Sequence, residues 1–234
     1  IGQAIAFELG RQGAIVIGTA TSASGAERIA ATLKEHGISG TGMELNVTSA
    51  ESVEAVLGAI AEQFGAPAIL VNNAGITRDN LMLRMKDEEW FDVINTNLNS
   101  LFRLSKAVLR GMTKARWGRI INIGSVAGIS AMGEQAYAYG PSKAALHQLS
   151  RMLAKELVGE HINVNVIAPG RFPSKMTRFI AEDEAALAAD TAVIPMKRWG
   201  REDEMAALAL SLAGSAGAYM TGAIIPIDGG FHLG

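Results

Sequence analysis

Ala68-Ile69-Leu70-Val71-Asn72-Asn73-Ala74-Gly75 is the stretch from which the fold is read. Its apolar run is too short for a helix, and it stops in residues that turn the chain. The spacing predicts a buried strand over 68–72 that delivers its carboxyl end into a loop. On one side, residues 49–64 carry apolar positions at helical spacing with an acidic start; on the other, residues 86–114 hold one or two helices. The alternation continues in both directions. Strands are expected at 14–18, 42–47, 119–124, 162–167 and 223–228, and helices at 24–36, 142–158 and 202–213. Short strands alternating with longer helices imply βαβ units. The expected fold is α/β, a Rossmann-type doubly wound parallel sheet with helices on both faces, in a single domain over 1–234.

The amino end is unusual for such a fold. Ile1-Gly2-Gln3-Ala4-Ile5-Ala6 reads as the first turn of a helix reaching about Gln12. Doubly wound nucleotide-binding domains place a strand and a glycine-rich turn before that helix. The expectation is a sheet lacking its first strand and glycine-rich turn, with a non-functional fragment as one reading of the chain.

Composition narrows the function classes. The chain has 234 residues, 49% hydrophobic and 19% charged, with a net charge of −2. Charged residues fall below the globular norm of about 25%, so extensive burial is expected, including subunit contacts. No global field recruits nucleic acid or an anionic membrane. Without cysteine, disulfides and thiolate metal sites are excluded. The four histidines have no metal-ligand spacing, so no metal is expected, and His147 reads as a packing residue. The 82–85 methionines and Trp90-Phe91 read as core or cleft wall. Apolar runs are too short to span a bilayer.

Tyr139-Gly140-Pro141-Ser142-Lys143 carries the chemistry. In a helix, positions i and i+4 share a face. A nearby ammonium favours phenolate and lowers a tyrosine pKa from about 10, producing a proton donor for a carbonyl oxygen. Pro141 is tolerated only in a first turn, which sets the helix start near Gly140. Tyr137 is a competitor, but it lies six residues from Lys143 and on another face.

Taken together, these motifs resemble the short-chain dehydrogenase/reductase family over the whole chain. Ile1-Gly2 looks like the end of its glycine-rich turn, and Asn72-Asn73-Ala74-Gly75 matches its Asn-Asn-Ala-Gly motif. Asn97, Ser125, Tyr139 and Lys143 fall where its tetrad stands, and Pro169-Gly170 where its Pro-Gly turn stands. Within the family, 75–80 and 85–90 resemble the bacterial 3-oxoacyl-acyl-carrier-protein reductases, the second half less closely. Ser125 precedes Tyr139 by 14 positions, one more than those enzymes usually show.

The resemblance implies a role for each position. Tyr139 would be the general acid, with Lys143 depressing its pKa and binding the nicotinamide ribose. Ser125 would hydrogen-bond the substrate carbonyl, and Asn97 would hold a water relaying protons to Lys143. Ile1, Gly2, Asn73, Ala74, Gly75, Pro169 and Gly170 would line the cofactor cleft. Asn46 and Val47 would meet the adenine, and Phe172 and Ser174 would approach the nicotinamide. Arg171 and Lys175 are unusual there and would alter substrate choice. The strand ending Ile17-Gly18-Thr19-Ala20-Thr21-Ser22 has no carboxylate for a ribose hydroxyl. Thr21 could donate to a 2′-phosphate, so the cofactor is expected to be NADP(H).

The implied activity is NADPH-dependent reduction of a 3-oxoacyl thioester in fatty acid biosynthesis, by a cytoplasmic homotetramer. The implied partner is an acyl-carrier protein, docked on Lys114, Arg116 and Arg119, although Glu160-His161 weakens that reading. Another small ketone or secondary alcohol remains open as substrate.

Overall fold

The computed structural model describes residues 1–131, 136–174 and 176–233. Fifteen regular elements follow one another: α1 (Gly2–Arg11), β1 (Val16–Ala20), α2 (Ala23–Glu35), β2 (Gly40–Glu44), α3 (Ala50–Phe64), β3 (Ile69–Asn72), α4 (Asp87–Ile94), α5 (Ser100–Ala115), β4 (Gly118–Ile123), α6 (Tyr139–Leu157), β5 (Ile162–Pro169), α7 (Arg178–Ala181), α8 (Glu184–Ala192), α9 (Glu202–Ala213) and β6 (Ile224–Ile227). Helix starts follow from side chains at the first residue. Ser22 accepts from Gly25 N, Ser49 from Ser52 N and Asp183 from Ala186 N, each worth about 1 kcal/mol.

All strand pairs are parallel. They form a four-stranded sheet, β3-β4-β5-β6, and a two-stranded one, β1-β2. Every residue of β4 and β5 is buried, as expected for strands covered on both faces. Ile121, Ile123 and Ile167 pack with Ile5, Phe172 and Met205, while Ile120, Ile162 and Val164 pack with Met112, Ala154 and Leu157. Asparagines in these strands are matched rather than stranded. Asn122 accepts from Asn72 Nδ2 and donates to Ser150 Oγ, each at 2.8 Å. Asn163 and Asn165 donate to carbonyls of the loop before β6.

Among the described residues, β1 pairs only with β2 and β3 only with β4, so each leaves one edge without a strand partner. Between them runs a groove of about 1010 Å³ lined by Ile5, Ile17, Leu45, Leu57, Ile60 and Leu70. Its mouth opens among Asn73, Ala74 and Asn97, at the carboxyl ends of the strands. Open α/β sheets bind ligands outside the carboxyl ends of their strands.

Strand and helix bounds match the sequence expectation within two residues, with two exceptions: α6 starts three residues earlier than 142, at Tyr139, and β2 starts at Gly40 and ends at Glu44, with Leu45 and Val47 packed in a core cluster. The helical run over 86–114 is divided by one π turn at Asn95–Asn99. Helices α7 and α8 had no counterpart in the sequence reading. No helix among the described residues is long and apolar enough to cross a membrane.

Candidate active site

Four elements converge at the carboxyl edge of the four-stranded sheet. Tyr139 opens α6, with Pro141 in its first turn as expected. Lys143 follows one turn later, almost fully buried, and its Nζ donates to Ile123 O at 2.7 Å. That carbonyl ends β4, so the ammonium is fixed against the strand that delivers Ser125. The Nζ lies 5.6 Å from the centre of the Tyr139 ring. Ser125 is buried; its hydroxyl accepts from Ala127 N at 3.2 Å and is close enough to the Tyr139 phenol to lower its pKa. Tyr137, by contrast, lies in the turn before α6 and is exposed. The structure therefore joins Tyr139, not Tyr137, to Lys143 and Ser125.

Asn97 sits in the π turn, a device common at functional sites. Its carboxamide is taken at both ends. Oδ1 accepts from Ile76 N at 2.9 Å, and Nδ2 donates to Ile76 O and to Ser142 Oγ. Ser142 in turn donates to Tyr139 O at 2.7 Å. The side chain thus staples the loop after β3 to the first turn of α6. Gly75, in that loop, lies so close that an added methyl would sit 3.5 Å from Lys143 Nζ.

The electrostatics also differ from the sequence reading. Burial pushes the Tyr139 phenol up; its hydrogen bond with Ser125 pulls it partly back, and the Asp79 carboxylate raises it further. The net direction is therefore opposite to the one expected from the Lys143 charge alone: burial dominates at the phenol, and burial also lowers the amine to about 8.

The cofactor positions are spread around the groove mouth. Ile1 precedes α1, which starts without a side-chain cap, so its first N–H groups are free to meet an anion. Gly2 lies against Asn73, whose Nδ2 is 2.7 Å from where a methyl on Gly2 would stand. Ala74 is exposed beside it. Thr21 is exposed at the end of β1, next to Ser22 and Ser24, whose hydroxyls are 3.3 Å apart. Arg28, one turn into α2, brings Nη2 to 3.8 Å from a methyl placed on Gly25. Sequence reasoning missed this cation; the signal was a basic residue six positions after the helix cap, since helical side chains lean back toward the amino end. Asn46 Oδ1 accepts from Thr48 N and Oγ1, while Val47 is half-buried in a core cluster.

Gly170, after Pro169, donates its N–H to Ile227 O. Phe172 requires a correction. Its ring is 2% exposed in the core, pressed against Gly200, where an added methyl would lie 2.3 Å away. It does not enter the cleft. Ser174 Oγ lies 3.0 Å from Thr177 Oγ1. Arg171 points to Asp190 rather than toward substrate, and Lys175 lies outside the described residues.

The expected carrier-docking patch is also altered. Arg116 pairs with Glu160 at 3.1 Å, and Arg119 is buried with its guanidinium over Trp117. Both stand at the start of β4, whereas Ser125 follows its end. Six residues of strand separate the two edges of the subunit by about 20 Å.

One buried group has no place in the sequence reading of the site. His147, one turn beyond Lys143, is 2% exposed, and its Nε2 has no hydrogen-bond partner. Its ring fills the space beside Gly124, where a methyl would lie 2.3 Å from Nε2. Burial and the Lys143 ammonium lower its pKa to about 4, so it is neutral at pH 7.

Comparisons place this geometry among known proteins. Residues 1–232 match the family model described as Enoyl-(Acyl carrier protein) reductase. The 3-oxoacyl-acyl-carrier-protein reductase FabG of Pseudomonas aeruginosa is 58% identical over 236 residues, covering 100% of this chain and 93% of the relative. The rhamnolipids biosynthesis 3-oxoacyl-acyl-carrier-protein reductase of the same organism is 55% identical, covering 100% and 92%. The solved Pseudomonas aeruginosa RhlG/NADP active-site complex superposes with a TM-score of 0.95 at 54% identity, covering 99% of this chain and 92% of that one. With its parallel sheet, its Tyr139–Lys143 turn and these matches across its length, the chain belongs to the short-chain dehydrogenase/reductase family.

Proposed function

We propose that this chain is an NADPH-dependent oxidoreductase that reduces the 3-oxo group of an acyl thioester to the 3-hydroxy product, as in fatty acid biosynthesis. The observation that carries the reading is the convergence of Ser125, Tyr139 and Lys143 at the end of β4. It is supported by the names of the relatives at 58% and 55% identity. NADPH, when bound, supplies the hydride. Tyr139, held protonated by burial, donates its phenolic proton to the carbonyl oxygen as charge develops there. The Ser125 hydroxyl donates to the same oxygen. Lys143, cationic at pH 7, adds positive charge beside the phenol and stabilises the phenolate left behind. A raised phenol pKa suits the reducing direction, in which the group must begin protonated.

The residues fit the cofactor in three respects. The uncapped start of α1 offers N–H groups to a pyrophosphate. The end of β1 carries hydroxyls and no carboxylate, and Arg28 adds a cation for a 2′-phosphate. We assign Ile1, Gly2, Thr21, Arg28, Asn73, Ala74, Gly75, Pro169 and Gly170 to this cleft; Asn46 and Val47 would meet the adenine and Ser174 the nicotinamide side.

The reading extends to a single cytoplasmic domain that assembles into a homotetramer. Exposed Phe91 on α4 and Phe102 on α5 support self-association. An acyl-carrier protein is the proposed donor of the acyl group. The test is NADPH oxidation with a 3-oxoacyl thioester, a 2-enoyl thioester and a panel of small ketones, alongside NADPH titration by fluorescence. Turnover of the 3-oxoacyl thioester at least tenfold above the others supports the reading. Preference for the enoyl thioester or a small ketone would replace the substrate, and failure to bind NADPH would overturn the cofactor and the reaction together.

A further inference from the structure

Residues 170–174 leave the carboxyl end of β5, and residues 176–200 return to the Arg171 turn, where Gly200 N donates to Arg171 O. Within them, α7 and α8 bury no residue of their own. A helix without a buried stripe has little to hold it in place, because packing supplies most helical stability in a protein. Asp190, in the last turn of α8, is the exception to this loose attachment. Its side chain is 12% exposed, and each carboxylate oxygen meets a different segment. Oδ2 accepts from Trp199 Nε1 at 2.9 Å. Oδ1 lies 2.9 Å from Arg171 Nε, off the N–H axis, so this contact is an ion pair rather than a linear hydrogen bond.

Arg171 is well anchored in its turn. Its guanidinium lies 5.6 Å from the Phe231 ring centre, and its carbonyl accepts from Gly200 N at 2.9 Å. The residue before it, Gly170, is tied to Ile227, and the residue after it, Phe172, is locked against Gly200. Asp190 therefore connects a weakly packed helix to a rigid turn directly preceding Ser174. No other ion pair among the described residues joins α8 to the rest of the chain.

We propose that Asp190 is a positioning residue that latches α8 to Arg171 and Trp199 and so sets the opening between the 170–174 turn and the α7–α8 segment through which an acyl substrate enters. The substrate part of this inference rests on the proposed function; the latch does not. Removing the carboxylate breaks both contacts, whereas removing the guanidinium leaves the Trp199 hydrogen bond; Asp190→Ala therefore loosens α8 more than Arg171→Gln, and removing both does no more than removing Asp190.

The experiment is hydrogen exchange on the full chain and on Asp190→Ala, Asp190→Glu, Arg171→Gln and the Arg171→Gln/Asp190→Ala double variant, with steady-state kinetics on the same samples. Amides of 184–192 are expected to exchange at least tenfold faster in Asp190→Ala and by a smaller factor in Arg171→Gln, with β4 and β5 unchanged. The double variant should match Asp190→Ala, and Asp190→Glu should recover most of the protection. KM for the 3-oxoacyl thioester should rise about tenfold in Asp190→Ala while kcat stays within threefold. Unchanged exchange over 184–192, equal acceleration throughout the molecule, or additive single effects would overturn the latch. A normal latch response in a protein that reduces no thioester would overturn only the substrate reading.

Discussion

Lowering the pH from 7 to 4 should destabilise this protein through one identifiable side chain, His147. The ring is buried between the Lys143 turn of α6 and Gly124, and its pKa falls from 6.5 to about 4. Burial is the main cause, followed by the Lys143 and Arg151 charges; a hydrogen bond with the Gly128 backbone opposes them. A depressed histidine pKa means that the unfolded chain takes up a proton that the folded chain resists. The stabilisation of the neutral form is therefore complete above about pH 6.5 and is lost as pH falls toward 4. At 1.36 kcal/mol per pKa unit, the shift corresponds to about 3 kcal/mol, a large share of a typical domain's stability. The assay is urea unfolding of the wild type and His147→Gln at half-unit steps from pH 7 to 4. Carboxylates titrate in both proteins and cancel in the difference, leaving an excess loss of about 3 kcal/mol in the wild type. Parallel stability curves would show that the buried ring does not resist protonation and would refute the reasoning.

Three further outcomes are expected at the proposed site. Tyr139→Phe should lower kcat by at least a thousandfold, while Tyr137→Phe, at an exposed position, keeps most turnover; steady-state NADPH oxidation reads both, and the opposite ranking would reassign the acid. With Lys143 at about 8, kcat/KM should fall as pH rises through 8, since the amine loses its charge there; in Lys143→Arg that alkaline limb should disappear, and a limb unmoved by the substitution would belong to another group. Arg28→Ala should raise KM for NADPH about tenfold and leave KM for NADH within twofold, and equal effects on both cofactors would detach Arg28 from the 2′-phosphate.

The sheet and the helices that pack on it were legible because burial writes itself into the sequence as period. Val164 and Val166 in β5 and Leu146 and Ala154 in α6 are spaced by the surfaces they cover. Helices α7 and α8 were not legible for the same reason: they bury no residue of their own, so no apolar stripe marks them, and the aspartate that ties α8 to the rest has partners 19 positions before it and nine after it. Residue types at the site were equally legible, since Tyr139 and Lys143 announce themselves by spacing. Their electrostatics were not, because the sign of a pKa shift depends on how much water the fold removes. Reading the pair by charge alone makes the phenol acidic. Burial instead leaves a protonated tyrosine beside an amine poised near 8. This arrangement holds a proton ready for a carbonyl oxygen, and Ser125, which pulls the phenol downward against burial, is the side chain that brings it closest to release.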